Sequence, residues 1–188
     1  MIVLIVGGSK SGKSRIAQEI AKQLDTGGGL CYFATMKPTD GEDVARIKRH
    51  LAERDGLGFT TVERSENILE GEAMGEGATV LFDSLTALVA NEMFKTVKGE
   101  FVFDASSPER VLADTLELAK RVKNIVFVAD DILRDGGIFD AYTNAYLKGL
   151  AHIVRGIAKE ANAVYEACAG SIVAHKGEAI FINKGGME

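Results

Sequence analysis

Residues 7–14 read Gly-Gly-Ser-Lys-Ser-Gly-Lys-Ser, a G-x-x-x-x-G-K-S octet. It follows directly on an unbroken apolar hexad at residues 1–6. It leads into a helical pattern with Ile16, Ala17, Ile20, Ala21 and Leu24 on one face. A buried strand, a glycine-rich turn and a helix N-terminus in that order restrict the chain to α/β folds that cradle phosphate. Glycine lets the backbone turn tightly and approach a ligand. Successive amide N–H groups then converge on phosphate oxygens, and the positive end of the helix adds to the attraction. Lys13 is placed to reach the β- and γ-phosphates of a nucleotide, and the Ser14 hydroxyl to ligate Mg²⁺. A purely structural glycine turn has no need of Gly-Lys-Ser at the helix start.

Downstream, strand and helix signals alternate. Short apolar runs predict strands at residues 30–34, 59–63, 78–83, 124–129 and 163–169. A short C-terminal strand or hairpin reaches Ile180, Phe181 and Ile182. Helical spacing predicts helices at about residues 14–24, 40–51, 67–74, 85–94, 108–122 and 140–161, with Pro108 suited to a first helical turn. Residues 97–107 read as a polar loop holding one extended apolar piece, Phe101-Val102-Phe103. The alternation predicts a doubly wound, mostly parallel sheet with helices on both faces, P-loop NTPase-like, ending in short antiparallel strands. No linker, repeat or low-complexity stretch divides the 188 residues, so one domain is expected.

Composition narrows the function classes. A net charge of −5 argues against a nucleic-acid-binding surface. No apolar run reaches the eighteen or so residues of a membrane span, and the N-terminal apolar run is too short for a signal peptide. A cytoplasmic protein is expected. Cys31 and Cys168 lie far apart in apolar runs, which predicts two buried thiols.

Other groups are candidates for chemistry. Asp83 ends an apolar strand and is placed as the metal-side carboxylate of a P-loop site. Asp130 and Asp131 end a later strand, and ligands of open α/β sheets bind outside the carboxyl ends of strands. Capping is the competing role for both. His50 shares a helix face with Arg46, and a solvated or a catalytic histidine fits that spacing. Asn183-Lys184 carries only the first two residues of the N-K-x-D guanine signature.

Several segments together resemble one family. Residues 7–15 resemble the G-G-x-x-S-G-K-S-R opening of the bifunctional adenosylcobinamide kinase / adenosylcobinamide-phosphate guanylyltransferases. Tyr32 to Thr35 is similar to the family's Y-x-A-T strand end. Arg46, Ile47, His50 and Arg54 match its R-I-x-x-H-x-x-x-R helix, and Thr61-Val62-Glu63 its T-x-E. Asp83-Ser84-Leu85-Thr86, with Asn91 beyond, resembles its D/E-C/S-L-T…N segment. The second half departs: where the family carries N-E-V-G-x-G-I-V-P, this chain reads Ala129-Asp130-Asp131-Ile132-Leu133-Arg134-Asp135-Gly136-Gly137.

The resemblance implies a donor-nucleotide site made of Gly7, Gly8, Ser9, Lys10, Ser11, Gly12, Lys13, Ser14 and Arg15, with Thr35, Arg46, Arg54, Glu63 and Asp83. Ser14 and Asp83 would hold Mg²⁺. It implies GTP or ATP as donor, adenosylcobinamide and its phosphate as corrinoid acceptors, Lys13 in phosphoryl transfer and His50 as the nucleophile that takes up GMP. It also implies a homo-oligomer. From the residues alone two other readings stand: a P-loop kinase of another small alcohol, with no use for His50, and a non-catalytic nucleotide-binding regulatory or assembly protein.

Overall fold

The computed structural model describes residues 1–38, 56–71, 74–132 and 137–177. The apolar hexad supplies most of β1 (Ile2–Gly7), an interior strand of the sheet. α1 (Lys13–Leu24) follows, then β2 (Leu30–Ala34), β3 (Phe59–Glu63) and β4 (Thr79–Asp83). Next come α2 (Leu85–Met93), β5 (Phe94–Val97), β6 (Glu100–Phe103) and α3 (Ser107–Arg121). β7 (Asn124–Asp130), α4 (Ala141–Glu160), β8 (Ala163–Cys168) and β9 (Ser171–Lys176) complete the described chain.

Seven strands make one sheet in the order β3-β2-β4-β7-β1-β8-β9. All neighbours pair in parallel except β8 with β9, which is antiparallel. Central strands of a parallel sheet are covered on both faces and so read as continuous apolar runs, as β1, β4 and β7 do. Alternate side chains point to opposite faces. Val3, Ile5, Tyr32, Leu81, Val126 and Val128 meet Ile16, Ala17 and Ile20 of α1 on one side. Leu4, Phe33, Phe82 and Phe127 meet α2, α3 and α4 on the other. Phe33, Phe82 and Phe127 form a row there, with ring centroids 5.0 and 5.3 Å apart.

Helix ends follow their local chemistry. The Asp140 carboxylate accepts from the N–H groups of Tyr142 and Thr143 at 2.8 and 2.9 Å and so starts α4. The Lys176 ammonium donates to the Ala158 and Lys159 carbonyls at its far end, at 3.1 and 2.8 Å. Pro108 lies in the first turn of α3.

Three sequence expectations are corrected. Residues 67–71 form a turn, with Glu70 N–H donating to Asn67 O, where a helix over 67–74 was expected. Asn67 takes a left-handed backbone (φ 47°), and its N–H is held by Glu92 Oε1 at 2.8 Å. The stretch 97–107, expected as a polar loop with one extended piece, holds that piece as β6, but β6 pairs with β5 in a hairpin turned at Lys98-Gly99, where both φ angles are positive. Cys168 is exposed, because it ends β8 in an alternating strand just before the hairpin turn. Cys31 is buried as expected, and burial pushes its thiol up to about 11. The expected helix at 40–51 and the strand reaching residues 180–182 lie outside the described residues.

Candidate active site

The carboxyl edge of the sheet carries the site. At its middle the loop after β1 turns back into α1. Gly12 has φ 88°, a conformation that costs glycine nothing and other residues strain. Gly7 has no room for a side chain: a Cβ there would lie 2.6 Å from Ser11 Oγ and 2.7 Å from Ala167 O. Ser11 Oγ is buried with no hydrogen-bond partner among the described residues. An orphaned buried hydroxyl beside a helix N-terminus fits a loop built to receive an anion.

Lys13 bends back over this loop. Its ammonium donates to Gly8 O at 3.2 Å and pairs with Asp130 Oδ1 at 2.7 Å. The lysine side chain is only 12% exposed. Sheet order explains the pairing. β7 lies next to β1 with Gly7 opposite Asp130, and Asp131 N–H donates to Gly7 O at 2.9 Å. Asp83 ends β4, one strand further out, about 10 Å across the sheet from β1 at ordinary strand spacing. Its Oδ2 accepts from the Tyr32 hydroxyl at 2.9 Å, and its peptide bond to Ser84 is cis.

The remaining candidates divide. Ser9 and Lys10 are exposed at the rim of the loop, and Ser14 is half-buried at the start of α1. Arg15 points outward, 68% exposed, and pairs with Glu19 at 2.7 Å. Thr35 is fully buried, and its hydroxyl both donates to Ser84 O (2.7 Å) and accepts from Ser84 N–H (2.8 Å). Its carbonyl accepts from the Asn91 amide at 2.8 Å. Thr35 and Asn91 thus clamp the chain around the Asp83-Ser84 bend. Glu63 is exposed at the end of β3, four strands from β1, about 19 Å away. Arg46, His50 and Arg54 lie outside the described residues. His152 and His175 serve other contacts, 3.3 Å from Glu109 and 2.8 Å from Glu166.

From sequence alone, Asp130 is placed only at the crevice. Its contact with Lys13 depends on β7 inserting between β4 and β1, which chain order does not reveal. Beside it, Thr86 Oγ1 accepts the Asp130 N–H at 2.8 Å, and Thr86 O accepts from the Tyr146 hydroxyl at 3.1 Å. Burial, helped by the Asp130 charge, pushes that hydroxyl up to about 12.

A loop so shaped, with an enclosed cation and two carboxylates at adjacent strand ends, is matched by family-scale similarity. Residues 3–174 match the model of the cobinamide kinase / cobinamide phosphate guanyltransferase family. The chain belongs to that family. Its relatives include the bifunctional adenosylcobalamin biosynthesis protein CobP of Pseudomonas aeruginosa, 37% identical over 47% of this chain and 50% of that one. The protein of the same description, CobU, from Escherichia coli is 32% identical over 50% of this chain and 51% of that one. CobU of Salmonella typhimurium is 28% identical over 63% and 65%. The chain thus spans about half the length of the first two curated relatives it matches. Among solved structures, the flagellar accessory protein FlaH from Methanocaldococcus jannaschii superposes with a TM-score of 0.51 at 15% identity. That match covers 94% of this chain and 78% of FlaH, a likeness of fold. Among the described residues of this cobinamide kinase / guanyltransferase family member, no helix is long and apolar enough to cross a membrane.

Proposed function

We propose that this protein phosphorylates adenosylcobinamide with GTP or ATP, and that it transfers GMP from GTP to adenosylcobinamide phosphate through a guanylyl-histidine at His50. The observation that carries the donor half is the enclosed Lys13 over a loop whose Ser11 hydroxyl is buried and has no partner among the described residues. The family match over residues 3–174 supports the acceptor half.

In the first reaction the acceptor hydroxyl attacks the γ-phosphorus, and the nucleoside diphosphate leaves. Lys13 and the amide groups of residues 8–14 neutralise charge on the phosphates, and positioning supplies the catalysis. Ser14 and Asp83 would hold Mg²⁺, which supplies further charge neutralisation when bound. Thr35 and Asn91 keep the Asp83 bend in place.

In the second reaction a neutral His50 imidazole attacks the α-phosphorus of GTP. A phosphorus–nitrogen bond forms and pyrophosphate leaves. The phosphate of the acceptor then attacks the same phosphorus and releases the histidine. Arg46 and Arg54, on the same predicted helix as His50, are suited to steady the phosphates. The remaining expectations, a corrinoid acceptor and a cytoplasmic homo-oligomer, accompany this reading.

Two labels separate the reactions. With α-³²P-GTP and Mg²⁺, the wild type acquires alkali-stable, acid-labile label, and His50→Ala acquires none. With γ-³²P-GTP and cobinamide, both proteins form labelled cobinamide phosphate. Label retained by His50→Ala, or transfer from γ-³²P-GTP lost along with it, contradicts the division of labour proposed here.

A further inference from the structure

Asp130 is a charged neighbour of the phosphate loop to which neither reaction above gives a role. Its carboxylate lies 2.7 Å from the Lys13 ammonium, and Lys13 is the partner of its ion pair among the described residues. Its backbone is fixed from two sides, by Thr86 Oγ1 on its own N–H and by the pairing of Asp131 N–H with Gly7 O. The backbone of Asp130 is therefore held beside the loop, and its carboxylate stays within reach of Lys13. The pair is partly enclosed, at 12% and 31% exposure, so solvent and salt screen it less than a surface pair.

We infer that Asp130 makes the loop selective for a polyphosphate that arrives with its divalent cation. With the loop empty, Lys13 neutralises Asp130. A polyphosphate entering the cradle competes for the same ammonium, and one positive charge cannot neutralise both anions. Metal-free polyphosphate thus leaves the Asp130 carboxylate facing further negative charge a few ångströms away. A polyphosphate carrying Mg²⁺ brings two compensating charges, and the repulsion is reduced. Lys13 then exchanges partners at a lower cost than with the metal-free anion. Asp130 on this account is a specificity-determining residue that acts through Lys13 and through its own field, without ligating the metal. The inference rests on residues 7–14 being a phosphate site and is independent of His50, the guanine base and the acceptor.

Isothermal titration with inorganic tripolyphosphate, in excess EDTA and in excess Mg²⁺, tests it on the full chain. Asp130→Asn keeps the shape of the side chain and removes the charge. It is expected to bind metal-free tripolyphosphate about tenfold more tightly than wild type, with affinity for the Mg²⁺ complex within about twofold. Asp130→Glu restores the charge and is expected to recover the wild-type preference, a rescue that a packing role would not produce. Equal weakening of both forms in Asp130→Asn overturns the inference, since that is the signature of a structural residue. Selective weakening of the Mg²⁺ complex overturns it too, because Asp130 would then be a metal ligand. Failure of the wild type to bind either form overturns the phosphate-site reading together with this one. Loss of guanylyl transfer alone leaves it standing.

Discussion

Gly7 and Thr35 test the site one residue at a time. A Cβ at Gly7 would sit 2.6 Å from Ser11 Oγ and 2.7 Å from Ala167 O, and the latter is backbone that cannot swing aside. Gly7→Ala is expected to displace the loop at a cost of about 1–3 kcal/mol. Binding of a fluorescent GTP analogue should fall by at least about fivefold. Thr35→Val keeps the volume but deprives Ser84 N–H of its acceptor. The variant should lose about 1–3 kcal/mol in a denaturant melt. A nucleotide-contacting Thr35 would instead lower affinity at unchanged stability. At this scale the sequence was legible where chemistry is local. Gly-x-x-x-x-Gly-Lys-Ser declares Lys13 and Ser14 within eight residues. The Lys13–Asp130 contact spans 117 positions and needs the order of strands in the sheet.

Among the elements, α2 is the tie between the site and the helical layer. Its Glu92 is buried at 2% side-chain exposure and receives Arg110, Lys95 at 2.6 Å and the Asn67 N–H at 2.8 Å. Burial alone would raise its carboxyl pKa, yet the donors from Arg110, Lys95 and Asn67 outweigh burial and hold it below the ordinary 4.5. A depressed carboxylate stabilises the fold above its unfolded pKa, and the contribution is lost as pH falls through the folded value. Thermal melts should therefore show this contribution intact at pH 6 and decaying below about pH 4.5. Glu92→Gln should lower stability by about 3 kcal/mol at pH 7, and the difference from wild type should shrink on acidification. A difference that stays constant with pH would contradict the role given to the charge. Central strands were legible because burial on both faces makes them continuously apolar. The β5–β6 hairpin was not. Its strands are four residues each, Phe101 is 61% exposed, and its left-handed turn begins at a lysine. What holds it is long-range: Phe103 against Tyr142 at 4.9 Å and Phe94 against Tyr146 at 5.9 Å, both tyrosines from α4.

For the whole molecule, the parallel sheet delivers the ends of β1, β7 and β4 to one edge, so ligand binding there should stabilise the entire fold. At a Mg²⁺–GTP concentration one hundred times Kd, linkage gives about 2.7 kcal/mol. For a chain of this size that is a rise in Tm of about 5–10 °C. Lys13→Ala should abolish most of the rise, and Mg²⁺ alone should give little. The fold class was legible from the alternation of strands and helices, since each βα unit announces itself locally. The departures lay where one side chain is held by others distant in sequence, as at Asn67 with Glu92. The proposed function turns on the passage of GMP from the donor nucleotide to His50. Peptide mass mapping of protein quenched in alkali after incubation with Mg²⁺–GTP tests it most directly. A mass increment of one GMP on the peptide containing His50 is the predicted result. The same increment on another residue, or unmodified peptides throughout, would contradict it.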